Sequence, residues 1–169
     1  MKKITLALLA VIFLFAGGCT VKYTLSGASI PPDAKTFSVA YFPNNAPMVA
    51  PILSSTLTDE LTQRFATRTR LVQVSEGGDF AFEGEIVGYT STTSSVSSGD
   101  YALQNRLTIT IKVNFTNVVD EKASFKARSF SAYADYDSTK LLTEVESTLI
   151  PEIVEQLVTD IFMAAASNW

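Results

Sequence analysis

The residues able to do chemistry in this chain are few and fall into small groups. Two carboxylate pairs, Glu83 with Glu85 and Glu144 with Glu146, are the material for general acid–base work. Glu83 and Glu85 alternate with Phe82 and Ile86, however, and on a strand that alternation puts both acids on the wet face without any reaction to serve. Asp135, Asp137, Thr139, Leu141, Thr143 and Glu146 carry the spacing of a calcium-binding loop. The position that needs glycine for the sharp turn is Lys140, whose charge also opposes a bound cation. The segment therefore reads as a strand-to-helix turn, with Asp137 or Ser138 capping the helix. Arg64, Arg68 and Arg70 form a basic cluster whose guanidinium forks suit phosphate or carboxylate, and which at a helix C-terminus also offsets the helix dipole.

The chain has no histidine and one cysteine, Cys19. Those counts remove Ser-His-Asp and Cys-His nucleophilic catalysis, zinc sites with nitrogen and sulfur ligands, and a histidine pH switch. No catalytic residue, metal or separate cofactor is expected. Cys19 has a different chemistry available. Lys2 and Lys3 precede an uncharged apolar run from Ile4 to Phe15, and Ala16-Gly17-Gly18 offers small residues for a peptidase, so residues 1–18 read as a cleaved signal peptide. A cysteine directly after such a cut resembles the lipobox of bacterial lipoproteins, where the thiol takes a diacylglyceryl group and the new N-terminus an acyl chain. The usual leucine three residues before the cysteine is Ala16 here. The apolar run is shorter than the roughly 20 residues of a membrane-spanning helix, so the expected mode is anchoring at a membrane surface. There the Arg64, Arg68 and Arg70 cluster has the phosphates of an outer-leaflet glycolipid as a candidate ligand.

Acidic residues outnumber basic ones, 17 to 13, and loss of Lys2 and Lys3 widens the gap. That balance argues against nucleic acid as a partner. Residues 19–169 have the length of one domain.

The elements that must position these groups follow from periodicity. Val21 to Leu25 and Lys35 to Phe42 read as short strands. Leu53, Leu57, Leu61 and Phe65 recur every four residues after Pro51, predicting a helix that ends near Thr67 to Thr69. Leu71 to Val74, Phe80 to Tyr89, Leu107 to Thr116 and Ser124 to Asp135 read as strands, the third with strict apolar–polar alternation. Thr90 to Gly99, almost all serine and threonine, reads as a loop or frayed hairpin tip. A last helix is expected from Ser138 to about Ala166, kinked or restarted at Pro151. The sum is an α+β two-layer sandwich: an antiparallel or mixed sheet of about four to five strands with two helices on one face.

Several segments carry more than a fold class. They are Ser26-Gly27-Ala28-Ser29-Ile30-Pro31, Lys35-Thr36-Phe37-Ser38-Val39, Phe42-Pro43-Asn44-Asn45-Ala46, Phe82-Glu83-Gly84-Glu85-Ile86, Asn105-Arg106-Leu107-Thr108-Ile109-Thr110, Ala132-Tyr133-Ala134-Asp135-Tyr136 and Glu155-Gln156-Leu157-Val158-Thr159-Asp160-Ile161-Phe162. Together they resemble a divergent branch of the LptE family of lipopolysaccharide-assembly lipoproteins. The resemblance implies a non-catalytic lipoprotein on the periplasmic face of the outer membrane. It would plug a large LptD-like β-barrel translocon, help it fold and bind lipopolysaccharide. Pro151 departs from the uninterrupted acidic helix expected of that family. An alternative class is an accessory lipoprotein that regulates a cell-wall synthase or forms a secretion pore.

Overall fold

The computed structural model describes residues 30–48, 50–94 and 103–166. Cys19, the expected strand at Val21 to Leu25 and the Ser95 to Gly99 part of the serine-rich segment lie outside the described residues.

Five strands, β1 (Thr36–Val39), β2 (Val72–Gln73), β3 (Phe80–Ser94), β4 (Gln104–Asn117) and β5 (Phe125–Asp137), form one sheet in the order β2-β1-β3-β4-β5. Helices α1 (Leu53–Arg68) and α2 (Leu142–Ala166) cover one face, which makes the two-layer α+β arrangement the sequence predicts. β1 runs parallel to both β2 and β3, and parallel partners need a long crossover, which α1 supplies between β1 and β2. β3, β4 and β5 form an antiparallel meander.

The alternation in β4 explains the layering. Leu107, Ile109, Ile111, Val113 and Phe115 are fully buried beneath the helices, whereas Lys112, Asn114 and Thr116 are exposed on the opposite face. Phe65 of α1 joins the layers: its ring lies 5.9 Å from Phe37, 4.6 Å from Phe82 and 5.1 Å from Phe162 of α2. Gly84 permits the closest approach, because a Cβ there would overlap the carbonyl oxygen of Lys112 and the ring of Phe42.

β1 is shorter than the predicted Lys35 to Phe42. Past Val39 the chain still follows β3 through single bonds, Ala40 N–H to the Phe82 carbonyl (2.8 Å) and Ile86 N–H to the Pro43 carbonyl (2.9 Å), before an isolated bridge from Asn44 to Ile86. Beyond Ile86 the meander continues alone. Thr90 to Ser94 belongs to β3, pairing with Gln104 to Thr108, so the loop expectation is corrected for that part. Threonine favours a pleated strand, and cross-strand partners outweigh the polar composition.

The last helix starts at Leu142, later than the Ser138 expected. Asp137 caps a tight turn, accepting the Thr139 amide and hydroxyl, and the Leu141 amide is met by the Glu144 carboxylate (3.1 Å). Pro151 does not restart the helix, which runs as one element through it. Ser147, whose carbonyl loses its partner, and Pro151 are both exposed, so water can serve the freed carbonyl.

Candidate functional site

The meander leaves two surfaces without a second layer: the open face of β3, β4 and β5, and the outer edge of β5. On the open face Arg106 of β4 sits opposite Asp135 of β5. Its Nε and Nη2 donate to the two carboxylate oxygens at 2.7 and 2.9 Å, the bidentate geometry that favours arginine over lysine. The same guanidinium lies 3.7 Å from the Tyr133 ring centroid. Hydrogen bonding from Arg106 holds the Asp135 carboxyl below its ordinary pKa and raises that of the guanidinium. Toward the other end of the strands, Thr110 and Ser131 share a hydroxyl hydrogen bond of 3.0 Å. A shallow groove of about 430 Å³ runs between the β5 edge and α2, lined by residues that include Arg128, Phe130, Ser131 and Asp160. A second, of about 330 Å³, opens between Glu83, Glu85, Lys112 and Asn114.

The edge of β5 is irregular where this groove begins. Ala127 adopts φ 49°, in the left-handed region, and its amide donates to the Asn114 side chain (2.7 Å) beside a break in register between Val113 and Phe115. Further along, the Gln156 side chain reaches the Tyr133 carbonyl at 3.4 Å, capping one outward group of the edge.

The predicted arginine cluster lies at the C-terminal end of α1, and its members are engaged in different directions. Arg64 donates to the Thr159 hydroxyl of α2 (3.2 Å) and lies 3.7 Å from Glu60. Arg70 donates to the carbonyls of Ile30 (3.2 Å) and Pro31 (2.5 Å). Arg68 is exposed. Of the carboxylate pairs, Glu83 and Glu85 lie on the open face, with Glu85 accepting from the Asn45 side chain (2.7 Å). Glu144 serves the start of α2, whereas Glu146 accepts the buried Tyr89 hydroxyl at 2.6 Å. Burial first, and the Glu146 hydrogen bond second, push the Tyr89 phenol above its ordinary pKa. Asp135, Asp137 and Glu146 of the calcium-like spacing thus serve three unrelated partners.

The Arg106, Asp135 and Tyr133 constellation and the Tyr89–Glu146 bond are contacts that sequence reasoning missed. An arginine and an aspartate on alternating strands were legible as residue types, but their pairing depends on register. A third such contact is the clasp at Asp79. Its Oδ2 accepts the amides of Lys35 (2.8 Å) and Thr36 (2.9 Å) and the Thr36 hydroxyl (3.0 Å), and these bonds, led by the Lys35 amide, lower its pKa.

The surfaces described offer charge, hydroxyls and strand edges for binding, with the Glu85 and Asp135 carboxylates already committed to local partners. Among the described residues no helix is long and apolar enough to cross a membrane. The sequence model of a family described as lipopolysaccharide-assembly, LptE, matches residues 34–165. No curated protein matches the chain. Among solved structures, the hypothetical protein CT253 from Chlamydia trachomatis is similar at TM-score 0.51 and 10% identity, with 76% of this chain and 93% of that one covered. The protein XCC0632 from Xanthomonas campestris is similar at TM-score 0.51 and 12% identity, over 82% of this chain and 88% of that one. At such identities these two likenesses speak for the fold alone.

Proposed function

The chain belongs to the LptE lipopolysaccharide-assembly family, and on that premise we propose that it is a non-catalytic lipoprotein seated in a large LptD-like β-barrel of the outer membrane. In this reading residues 1–18 are removed, and acyl chains on Cys19 hold the single domain of residues 19–169 at the periplasmic face. The domain supports assembly of the barrel and passage of lipopolysaccharide through it. The observation that carries the reading is the family match across residues 34–165, which takes in β1 to β5, α1 and all of α2 but its last residue. An open polar face and a free sheet edge are surfaces suited to a large protein partner.

Photo-crosslinkers placed on the open face, at Thr108 and Ser131, should capture one very large β-barrel protein in intact cells at native expression. Capture of a cell-wall synthase, or only of further copies of this chain, would replace the reading with the accessory-lipoprotein alternative.

Arg64, Arg68 and Arg70 remain the proposed contacts for lipopolysaccharide phosphates. Arg68 is exposed, and the other two hold the flanks of the same helix end. Arg64→Ala combined with Arg68→Ala should weaken binding to isolated lipopolysaccharide about tenfold, the scale of one or two charge-assisted hydrogen bonds. Unchanged binding in a titration would remove these residues from the site.

A further inference from the structure

The outer edge of β5 is closed at two points and open between them. At one end Ala127, with φ 49° beside the break in register, turns the strand out of line. At the other the Gln156 side chain covers the Tyr133 carbonyl. Register with β4 is unbroken from Arg128 to Asp137, and main-chain groups two residues apart on such a strand point the same way. Tyr133 turns its carbonyl outward to Gln156, so Ser131 and Ser129 also turn their amides and carbonyls outward. These two serines line the groove between β5 and α2, together with Arg128, Phe130, Asp160 and Met163. An edge left open in this way is a template for another strand.

The open stretch matches itself. Reversed about Phe130, its nearest positions read the same: Ser129-Phe130-Ser131. An antiparallel copy set with Phe130 facing Phe130 places Ser129 opposite Ser131 of the other copy, where their outward amides and carbonyls bond to each other. In that register Ala127 falls opposite the capped Tyr133, which ends the ladder at both sides. Charge agrees with it. Arg128 and Asp160 are exposed and have no ion-pair partner among the described residues, the guanidinium lying 5.3 and 5.2 Å from the Phe125 and Phe130 rings instead. Asp160 lies one turn past Gln156 on α2, which sets it beside Ser131. A two-fold axis through Phe130 brings Arg128 of one copy next to Ala132 of the other, one residue along from that copy's Asp160, and the contact repeats in reverse. Lys126 and Glu152, beyond opposite ends of the stretch, are likewise carried to a common end.

We propose that the β5 edge from Arg128 to Ala132 pairs with the same edge of a second copy of this chain, so that one sheet runs through both copies. The contact is short and belongs to the weak, transient class. It describes the chain before a larger partner covers the edge, and it does not rest on the barrel reading. A barrel that takes in β5 displaces the second copy; until then each edge is closed against open-ended strand addition.

The test uses the mature chain in mild detergent, with association followed by sedimentation and by pull-down between copies carrying different tags. The native chain should pair at about 100 μM, within reach of a weak contact. Arg128→Asp and Asp160→Arg each set like charges against one another between identical copies, and each should weaken pairing about tenfold. Mixing the two variants makes both contacts attractive again and should restore pairing, as should both substitutions in one chain; restoration by mixing shows that the variants are folded. A native chain that stays monomeric, or variants that pair as the native chain does with no gain on mixing, overturns the proposal. Barrel capture from Thr108 in cells is scored separately. Pairing without capture removes the barrel reading alone, and capture by a native chain that never pairs removes the pairing alone.

Discussion

Asp79 shows how one side chain can determine strand order. β1 has only four residues and lies between two parallel partners, so its placement depends on more than its ladder bonds. The Asp79 carboxylate, at the entry to β3, gathers the first two amides around β1 and the Thr36 hydroxyl, which fixes the register of Phe37 against Phe80. A carboxylate whose folded pKa is lowered contributes stability that is present above its unfolded pKa of about 4 and lost as pH falls through the lower folded value. Asp79→Asn should therefore lower the urea midpoint at pH 7, and the gap from the native chain should narrow toward pH 3. A constant gap between those pH values would mean that the carboxylate charge contributes nothing. None of this was legible in the sequence, where Glu76-Gly77-Gly78-Asp79 reads as a turn. Arg106 and Asp135 were hidden for the same reason: residues 29 apart meet only once strand length and the irregularity at Val113 have set the register.

At the scale of elements, local pattern was informative wherever one face is buried. The four-residue spacing of Leu53, Leu57, Leu61 and Phe65 located α1 to within a turn, and all four are fully buried. The alternation of β4 named its core face residue by residue. Polar segments misled instead, as at Thr90 to Ser94, because composition reports solvation and is silent about a partner strand. α2 illustrates a tolerated defect. Pro151 lies on the exposed side of a helix whose other side carries Ile150, Ile153, Val154 and Leu157 in the core. Tertiary burial holds the helix together across the lost bond. Pro151→Ala restores the amide without disturbing that core, and should stabilise the protein by up to about 3 kcal/mol, seen as a higher melting temperature with unchanged helical content. A fall in melting temperature would mean that the proline geometry is itself required by the packing of α2.

The whole molecule is held as a unit through its aromatic centre. Phe65 touches β1, β3 and α2 at once, so its removal leaves a void shared by every layer. Phe65→Ala should cost about 3–5 kcal/mol and lower the denaturant midpoint without changing the slope, as expected for a single cooperative transition. Two transitions in place of one would show that the parallel β1–α1–β2 unit and the meander unfold separately. The outline of the sheet has a mechanical consequence. β1 and β2 accompany only the first part of β3, so the sheet is five strands wide at one end and three at the other. At about 4.8 Å per strand the outermost axes stand about 19 Å apart at the broad end and about 10 Å at the narrow one. Seen along the strands, the domain is a stepped wedge: a cylinder that admits the tongue of β3, β4 and β5 meets a shoulder at β1, and depth of entry is limited by width.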